Sequence, residues 1–354
     1  MYTTNYTMNA IMNTIATTIV SGAITTAIHS SVLSTCMTGL NNCDGQINMG
    51  QSVTVNLDNE TIEASYLQSK PSGQDFVTSV KGVYKNDPFT GLVVIDGHGK
   101  SDVIDTLRGL DYRELLESDN LLEEINSYIC DSAYNEDLFY TRNSGAVISI
   151  VQIFKDRYVM KWMGDCKIHI RVNGTIIASS SSHNFVESNV SKQARRSKTN
   201  TRSNISPILI NDYTIQVLDE KRITMKPSKK FRYPYSDMGP VSMTRALGHS
   251  QKIGNDLGFE TRVIPRVNSP SCSIHFEDIV VYSDGIGDMV CEDDIHAVLS
   301  NTTEDTIKMC DKRWRQEWIY VFGDSQEKAC LSDGDFDDMS IVKWSSRNMC
   351  PKVH

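Results

Sequence analysis

No two cysteines of this chain stand in a C-x-x-C spacing, although there are nine, at positions 36, 43, 130, 166, 272, 291, 310, 330 and 350. That absence removes the zinc knuckle and the dithiol redox motif from consideration. Scattered thiols, odd in number, suit a reducing compartment, so an intracellular, soluble, cytoplasmic protein is expected. Basic charge is not in excess either: 35 Lys and Arg stand against 44 Asp and Glu, a formal −9. A general nucleic-acid binder carries a basic face instead. There is no internal repeat, and no run of about 20 apolar residues that would span a bilayer. Charge of either sign is missing from Met1 to Cys43, the first charged residue being Asp44. Ile11, Ile15, Ile19, Ile24 and Ile28 recur there at helical spacing. Yet a signal peptide wants a basic start, which is lacking, and Thr, Ser and Asn interrupt the run throughout. A peripheral, partly helical extension is expected rather than a membrane segment.

What is present is ordinary globular composition, 40% hydrophobic and 22% charged over 354 residues, enough chain for a sizeable core. Ser52–Leu57 and Thr61–Tyr66 look like strands. Leu92–Ile95 is an apolar run expected to stop at Asp96-Gly97, as a buried strand reaching a loop. From Ser101 to Leu138 the pattern is helical, with stripes of Val103, Ile104 and Leu107, then Leu115, Leu116, Leu122, Ile125 and Ile129. Ala146–Phe154, Tyr158–Met163, Ile168–Val172 and Thr175–Ala178 read as consecutive strands, the last two joined by the hairpin signal Asn173-Gly174. Asp278–Tyr282 and Ser340–Trp344 are further strands, and a helical pattern spans Glu292 to about Phe322. Runs of adjacent strands with inserted helices indicate an α+β fold with antiparallel sheets. One domain is expected over 60–345, preceded by an extension (1–59) that can include a first strand and followed by a tail (346–354).

Three acidic groups stand at strand ends: Asp96 after Leu92–Ile95, Asp284 after Ile279–Tyr282, and Asp337 before Ser340–Trp344. Carboxylates held on rigid elements at one sheet edge can converge, and hard divalent ions such as magnesium or manganese want such oxygen ligands. Glycine after Asp96 and after Asp284 lets the chain turn and can bring a carbonyl to a metal. His98, between two glycines, is an acid/base candidate beside those ligands.

These residues carry a family resemblance. The chain resembles the metal-dependent protein phosphatases of the 2C type over about residues 60 to 345. Asp96-Gly97-His98-Gly99 matches that family's Asp-Gly-His-Gly. Gly164-Asp165-Cys166-Lys167 resembles its Gly-Asp-Ser-Arg hairpin, and Asn143-Ser144-Gly145-Ala146 stands where Gly-Ser-Thr-Ala is usual. Ser242-Met243-Thr244-Arg245-Ala246-Leu247-Gly248 resembles Ala-Val-Ser-Arg-Ala-Leu-Gly. Ser283-Asp284-Gly285-Ile286-Gly287-Asp288 matches Ser-Asp-Gly-x-x-Asp, and Asp337-Asp338-Met339-Ser340 resembles Asp-Asn-Met-Ser/Thr.

The resemblance implies a central β-sandwich of two antiparallel sheets flanked by helices, with two Mn²⁺ or Mg²⁺ ions at one end and a weaker third. It implies that Asp96 bridges both ions, that the Gly97 carbonyl helps hold the second, and that Asp284 and Asp337 hold the first. Asp165 and Asp288 would line the third site. Lys70-Pro71-Ser72-Gly73-Gln74-Asp75 looks like the upstream segment whose basic residue contacts phosphate, which assigns Lys70 to the substrate phosphate and Gln74 to the second ion. His98 would deliver a proton to the departing Ser or Thr oxygen. The implied activity is hydrolysis of phosphoserine and phosphothreonine in proteins, by a monomer without nucleic-acid partners. The alternative is a catalytically weak relative that binds phosphoproteins.

Several positions depart from the pattern. Gln74 replaces Glu, Gly287 stands where Trp is common, and Lys100 replaces a second Gly. His249 stands where Asp is expected, which removes an expected structural hydrogen bond. Blander readings stay open elsewhere: Asp165 could merely cap a hairpin turn, and nothing local makes Cys166 nucleophilic. His183 reads as structural, and Trp314 and Trp318, four apart on one helix, as core packing or a partner-facing edge. Residues 184–249 hold 12 Lys or Arg and five acids, a local +7 that leaves −16 for the remainder. This basic flap-like insert (about 184–241) is either a solvated loop or a surface that steers phosphoproteins. A nucleic-acid role for Arg195-Arg196-Ser197-Lys198 lacks aromatic interleaving.

Overall fold

The computed structural model describes residues 51–57, 59–70, 73–135, 144–183, 208–219, 222–232, 243, 245–249, 258–266, 274–322 and 325–349. The extension before residue 51, the Arg195–Lys198 cluster and the last five residues lie outside them.

Strands form where apolar side chains fill both faces of a sheet. β1 (Gln51–Leu57), β2 (Glu60–Leu67), β16 (Met339–Met349), β13 (Ile274–Tyr282), β7 (Lys167–Val172) and β8 (Thr175–Ser179) make one sheet in that order. The second runs β12 (Glu260–Pro265), β6 (Arg157–Met163), β5 (Ser144–Ile153), β4 (Asp87–Gly99), β3 (Asp75–Tyr84), with the short β11 (Leu247–Gly248) beside the start of β5. Every pairing within these two sheets is antiparallel.

The period of two assigns alternate residues to different cores. Leu92 and Val94 of β4 meet Ile279 and Val281 of β13 between the sheets, together with Trp162, Val342 and Trp344. Their neighbours Val93 and Ile95 face outward onto helices α1 (Asp102–Arg108), α2 (Tyr112–Glu117) and α3 (Leu121–Asn135). Val280 and Tyr282 face the opposite way, onto α4 (Asp284–Gly287), α5 (Ile295–Ser300) and α6 (Thr303–Arg315). Burial on both faces is why these strands read as continuous apolar runs rather than alternating ones. The result is the α+β architecture anticipated, two antiparallel sheets face to face with helices outside each.

Two elements differ from the sequence expectation. β4 does not stop at Asp96 but continues to Gly99, because β5 supplies a partner as far as the Gly99–Ser144 pair. Asp96, Gly97 and His98 are therefore strand residues, not a loop. The helix expected to reach Phe322 ends at Arg315, where Gln316 turns extended, and Glu317–Phe322 forms β14. Alternating aromatic and β-branched residues favour a strand there. Trp318 thus lies on that strand rather than on the helix of Trp314, although the rings still stack at 5.3 Å. The basic insert also contains regular structure: β9 (Ile208–Asp219) and β10 (Arg222–Arg232) form a hairpin, and β10 pairs in parallel with β14. With β15 (Ser325–Cys330) they make a third sheet, ordered β15–β14–β10–β9.

Antiparallel connection brings the critical ends together. Leu67, Met339, Tyr282 and Lys167 end or begin their strands at one edge of the first sheet, where the pairs Met339–Leu67, Tyr282–Ile341 and Tyr282–Lys167 lie. Asp75 pairs with Asp96 at the same end of the second sheet.

Candidate active site

At this end of the sandwich, Asp96, Asp284, Asp337, Asp338, Asp75 and Asp165 are gathered within mutual electrostatic reach. Asp96 is only 6% exposed, and burial followed by the charge of Asp284 pushes its carboxyl well above the usual range. Burial, then Asp337 and Asp165, does the same to Asp284. Oδ1 of Asp284 is sealed from solvent and makes no hydrogen bond. The short helix that carries Asp284 is pressed against the next acidic segment. A Cβ on Gly285 would come within 2.0 Å of the Asp338 carbonyl oxygen, so only glycine fits. Trp314 donates its indole N–H to the Gly285 carbonyl at 2.7 Å and so holds this turn from α6.

Asp337 and Asp338 divide their contacts. Asp337 accepts from Nζ of Lys70 at 2.6 Å. Burial opposes charge on Lys70, but the Asp337 carboxylate outweighs it and holds the amine above its ordinary value. Asp338 is 1% exposed and accepts three backbone N–H groups, from Ser69 at 2.7 Å, Lys70 at 2.8 Å and Gln74 at 2.6 Å. It thereby fixes the turn on which Lys70 and Gln74 sit. The Gln74 carbonyl in turn accepts from the Gly97 N–H at 2.9 Å, and its amide donates to the Gly99 carbonyl at 2.5 Å. Asp75 is buried beneath them; desolvation and then Asp338 and Asp337 push it up to about 8.

Asp165 is buried in the β6–β7 hairpin, close enough to Asp284 for its charge to raise that carboxyl. Asp288 is exposed, one turn beyond Asp284 and close enough to raise it. Cys166 beside Asp165 is buried, and burial and then Asp96 push its thiol well up, which leaves it inert. His183 accepts the Gly164 N–H at 3.0 Å and lies 3.0 Å from Glu260, a structural role.

His98 stands two residues beyond Asp96, on β4. Its Nδ1 is 3.0 Å from Nε2 of His249, and the two rings stack at 4.5 Å. Burial and then His249 push His98 down to about 3. The hydrogen bond expected to be lost with histidine at 249 is thus replaced by an imidazole–imidazole contact. Asp75, Asp338 and His249 were not singled out as site residues from the sequence. The first two adjoin residues that were, and only the third departs visibly from the family pattern.

The donor set fits a hard divalent ion. It is built of carboxylates and carbonyls, with Oδ1 of Asp284 buried and lacking a hydrogen-bond partner, and with the charge of Asp96 and Asp284 disfavoured without a counter-ion. In the present conformation no three His, Cys, Asp or Glu groups close around a common point among the described residues, and Lys70 occupies one oxygen of Asp337.

No family model and no curated protein matches the chain. Solved structures do. A C. elegans sex-determining protein is 16% identical, with a TM-score of 0.51 over 82% of this chain and 66% of that one. The chain therefore spans about two thirds of that protein, and shares its fold. A serine-threonine phosphatase 2C from Toxoplasma gondii is 10% identical over 84% of this chain and 99% of its own (TM-score 0.48). The catalytic domain of the phosphatase PstP, solved with two manganese ions, is 13% identical over 84% and 97% (TM-score 0.40). No helix among the described residues is long and apolar enough to cross a membrane.

Proposed function

We propose that the chain is a metal-dependent protein phosphatase that hydrolyses phosphoserine and phosphothreonine. The observation that carries this is the gathering of Asp96, Asp284 and Asp337 at one sandwich end, with Lys70 and His98 beside them. Asp96, the Gly97 carbonyl, Asp284 and Asp337 would hold two Mn²⁺ or Mg²⁺ ions, with Gln74 near the second and Asp165 and Asp288 lining a weaker third site. When bound, such ions act as Lewis acids and lower the pKa of the attacking water.

The chain's own residues do the rest. Lys70 offsets negative charge on the phosphoryl oxygens, a role for which a mobile point charge suffices. His98, when it carries a proton on Nε2, can give it to the departing Ser or Thr oxygen; a positioned acid contributes about 10² to 10⁴ in rate where its pKa lies near the working pH. Asp338 keeps the Lys70–Gln74 turn in register with the acidic cluster. Acidity of the body is compatible with anionic substrates because the ions and Lys70 reverse the local sign.

A phosphoprotein-binding relative with weak catalysis is the second reading, and the Lys70–Asp337 ion pair favours it, since it engages a ligand oxygen. A phosphothreonine peptide decides between the two. Release of phosphate with Mn²⁺ that stops in EDTA and in Asp284→Ala supports the enzyme. Peptide binding without release in Mn²⁺ supports the relative, and unchanged release in EDTA overturns the metal-dependent chemistry.

A further inference from the structure

The ring of His98 is held by a second histidine. His249 is 2% exposed and adopts φ +50°, a left-handed backbone that few residues other than glycine take up, histidine, asparagine and aspartate being the commonest of them. It follows Gly248, and β11 fixes both by pairing Leu247 with Ala146 and Gly248 with Gly145. This pairing swings the His249 ring over β5 and onto His98. Room for both rings comes from Gly145: a Cβ there would lie 2.2 Å from Nε2 of His249 and 2.4 Å from Cε1 of His98. The notch, the left-handed turn and the stack are three separate backbone and side-chain features that converge on one contact.

That contact engages one nitrogen of His98 and not the other. Nδ1 is 3.0 Å from Nε2 of His249, whereas Nε2 of His98 is buried and has no hydrogen-bond partner. We propose that His249 is a positioning residue for the proton donor: it occupies Nδ1 of His98 and pins the ring, so that Nε2 is the nitrogen offered to the leaving oxygen. The inference rests on the phosphatase reading for its chemistry, but not for its geometry. When His249 donates across the contact, a neutral His98 carries its single proton on Nε2, the donor form. During the reaction the oxygen of water bonds to phosphorus as the bond from phosphorus to the Ser or Thr oxygen breaks; that oxygen takes the proton from Nε2, and a proton of the attacking water replaces it on the ring, so that alcohol and phosphate are the products.

The test uses leaving groups of different need. A Ser or Thr alkoxide requires a proton, whereas p-nitrophenolate leaves as a stable anion. In the full chain with Mn²⁺, His249→Asn keeps a residue that tolerates the left-handed backbone but falls short of His98. Its kcat on a phosphothreonine peptide is expected to fall about 10²-fold, with KM little changed and a far smaller loss on p-nitrophenyl phosphate. His249→Gln, whose amide nitrogen stands near the position of Nε2, is expected to recover most of the peptide rate. Equal losses on both substrates, or a parental peptide rate in His249→Asn, would overturn the proposal.

Ring ¹⁵N spectra of the full chain give a second arm that needs no turnover. One fixed tautomer of His98 in the parent, averaged in His249→Asn, is expected; averaging already in the parent contradicts the proposal. If the parent turns over neither substrate, the phosphatase reading fails, and these spectra alone decide the positioning role.

Discussion

Nζ of Lys70 lies 2.6 Å from Oδ1 of Asp337, across 267 residues of sequence. The contact joins the residue assigned to the substrate phosphate with one assigned to the metal. An ammonium and a divalent ion compete for the same carboxylate, so Lys70→Met is expected to tighten Mn²⁺ binding by about two- to fivefold, the worth of a partly exposed ion pair. The same change should raise KM for a phosphopeptide, since the phosphate loses its cation. Calorimetric titration with Mn²⁺ and steady-state kinetics check the two arms; weaker metal binding in Lys70→Met would contradict the competition.

The carboxyl cluster makes stability depend on pH. Asp75, up to about 8, and Asp96 and Asp284, pushed well up by burial and by the charge of neighbouring carboxylates, keep protons in the folded chain that the unfolded chain has released above about pH 4. More protons bound when folded means that stability falls as pH rises through this range. His98 and His169, pushed down to about 3 and about 4, are neutral in both states above pH 7.5 and add little slope there. In EDTA the melting temperature is therefore expected to fall between pH 7 and 8.5. Mn²⁺ should flatten or reverse that slope by taking the place of the protons. A melting temperature in EDTA that rises over this interval would contradict the assignment.

Asp338 gathers three backbone N–H groups in one buried carboxyl. Asp338→Ala leaves all three without that acceptor and is expected to cost about 3 kcal/mol, at the large end for a single substitution. Asp338→Asn keeps one acceptor oxygen and should cost about half as much. Urea unfolding of the two variants measures the difference.

Trp314 supports Asp284 from behind through the N–H donated to Gly285. Trp314→Phe keeps an aromatic ring against Trp318 and Phe336 but removes that donor. A stability loss of about 1 to 2 kcal/mol is expected. Because the lost bond sits beside a proposed ligand, Mn²⁺ affinity should fall by about tenfold as well. Thermal melts and a Mn²⁺ activation curve separate the two effects.

Most of the sandwich was legible because its strands carry apolar residues on both faces, as in Leu92–Ile95 and Ile279–Tyr282. The ends of those strands, and the carboxylates on them, can therefore be placed together from the pattern of apolar runs alone. What could not be read were contacts that depend on a partner distant in sequence. β4 runs past Asp96 because β5 offers backbone to Gly99, and an Asp-Gly pair alone reads as a turn. The helix ending at Arg315 looked continuous because Trp314 and Trp318 have helical spacing, while pairing of β14 with β10 and β15 makes Trp318 a strand residue. His249 was visible as a departure, but its stack on His98 depends on the Gly145 notch and a left-handed turn, which composition does not announce.

The most direct test of the whole account is the initial rate of phosphate release from a phosphothreonine peptide as Mn²⁺ is raised, for the parent chain and for Asp284→Asn. The account predicts a rate that is absent in EDTA, saturates with Mn²⁺, and falls by more than about 10²-fold in the variant, as expected for loss of a direct ligand. A parental rate in Asp284→Asn, or turnover that persists in EDTA, would contradict it.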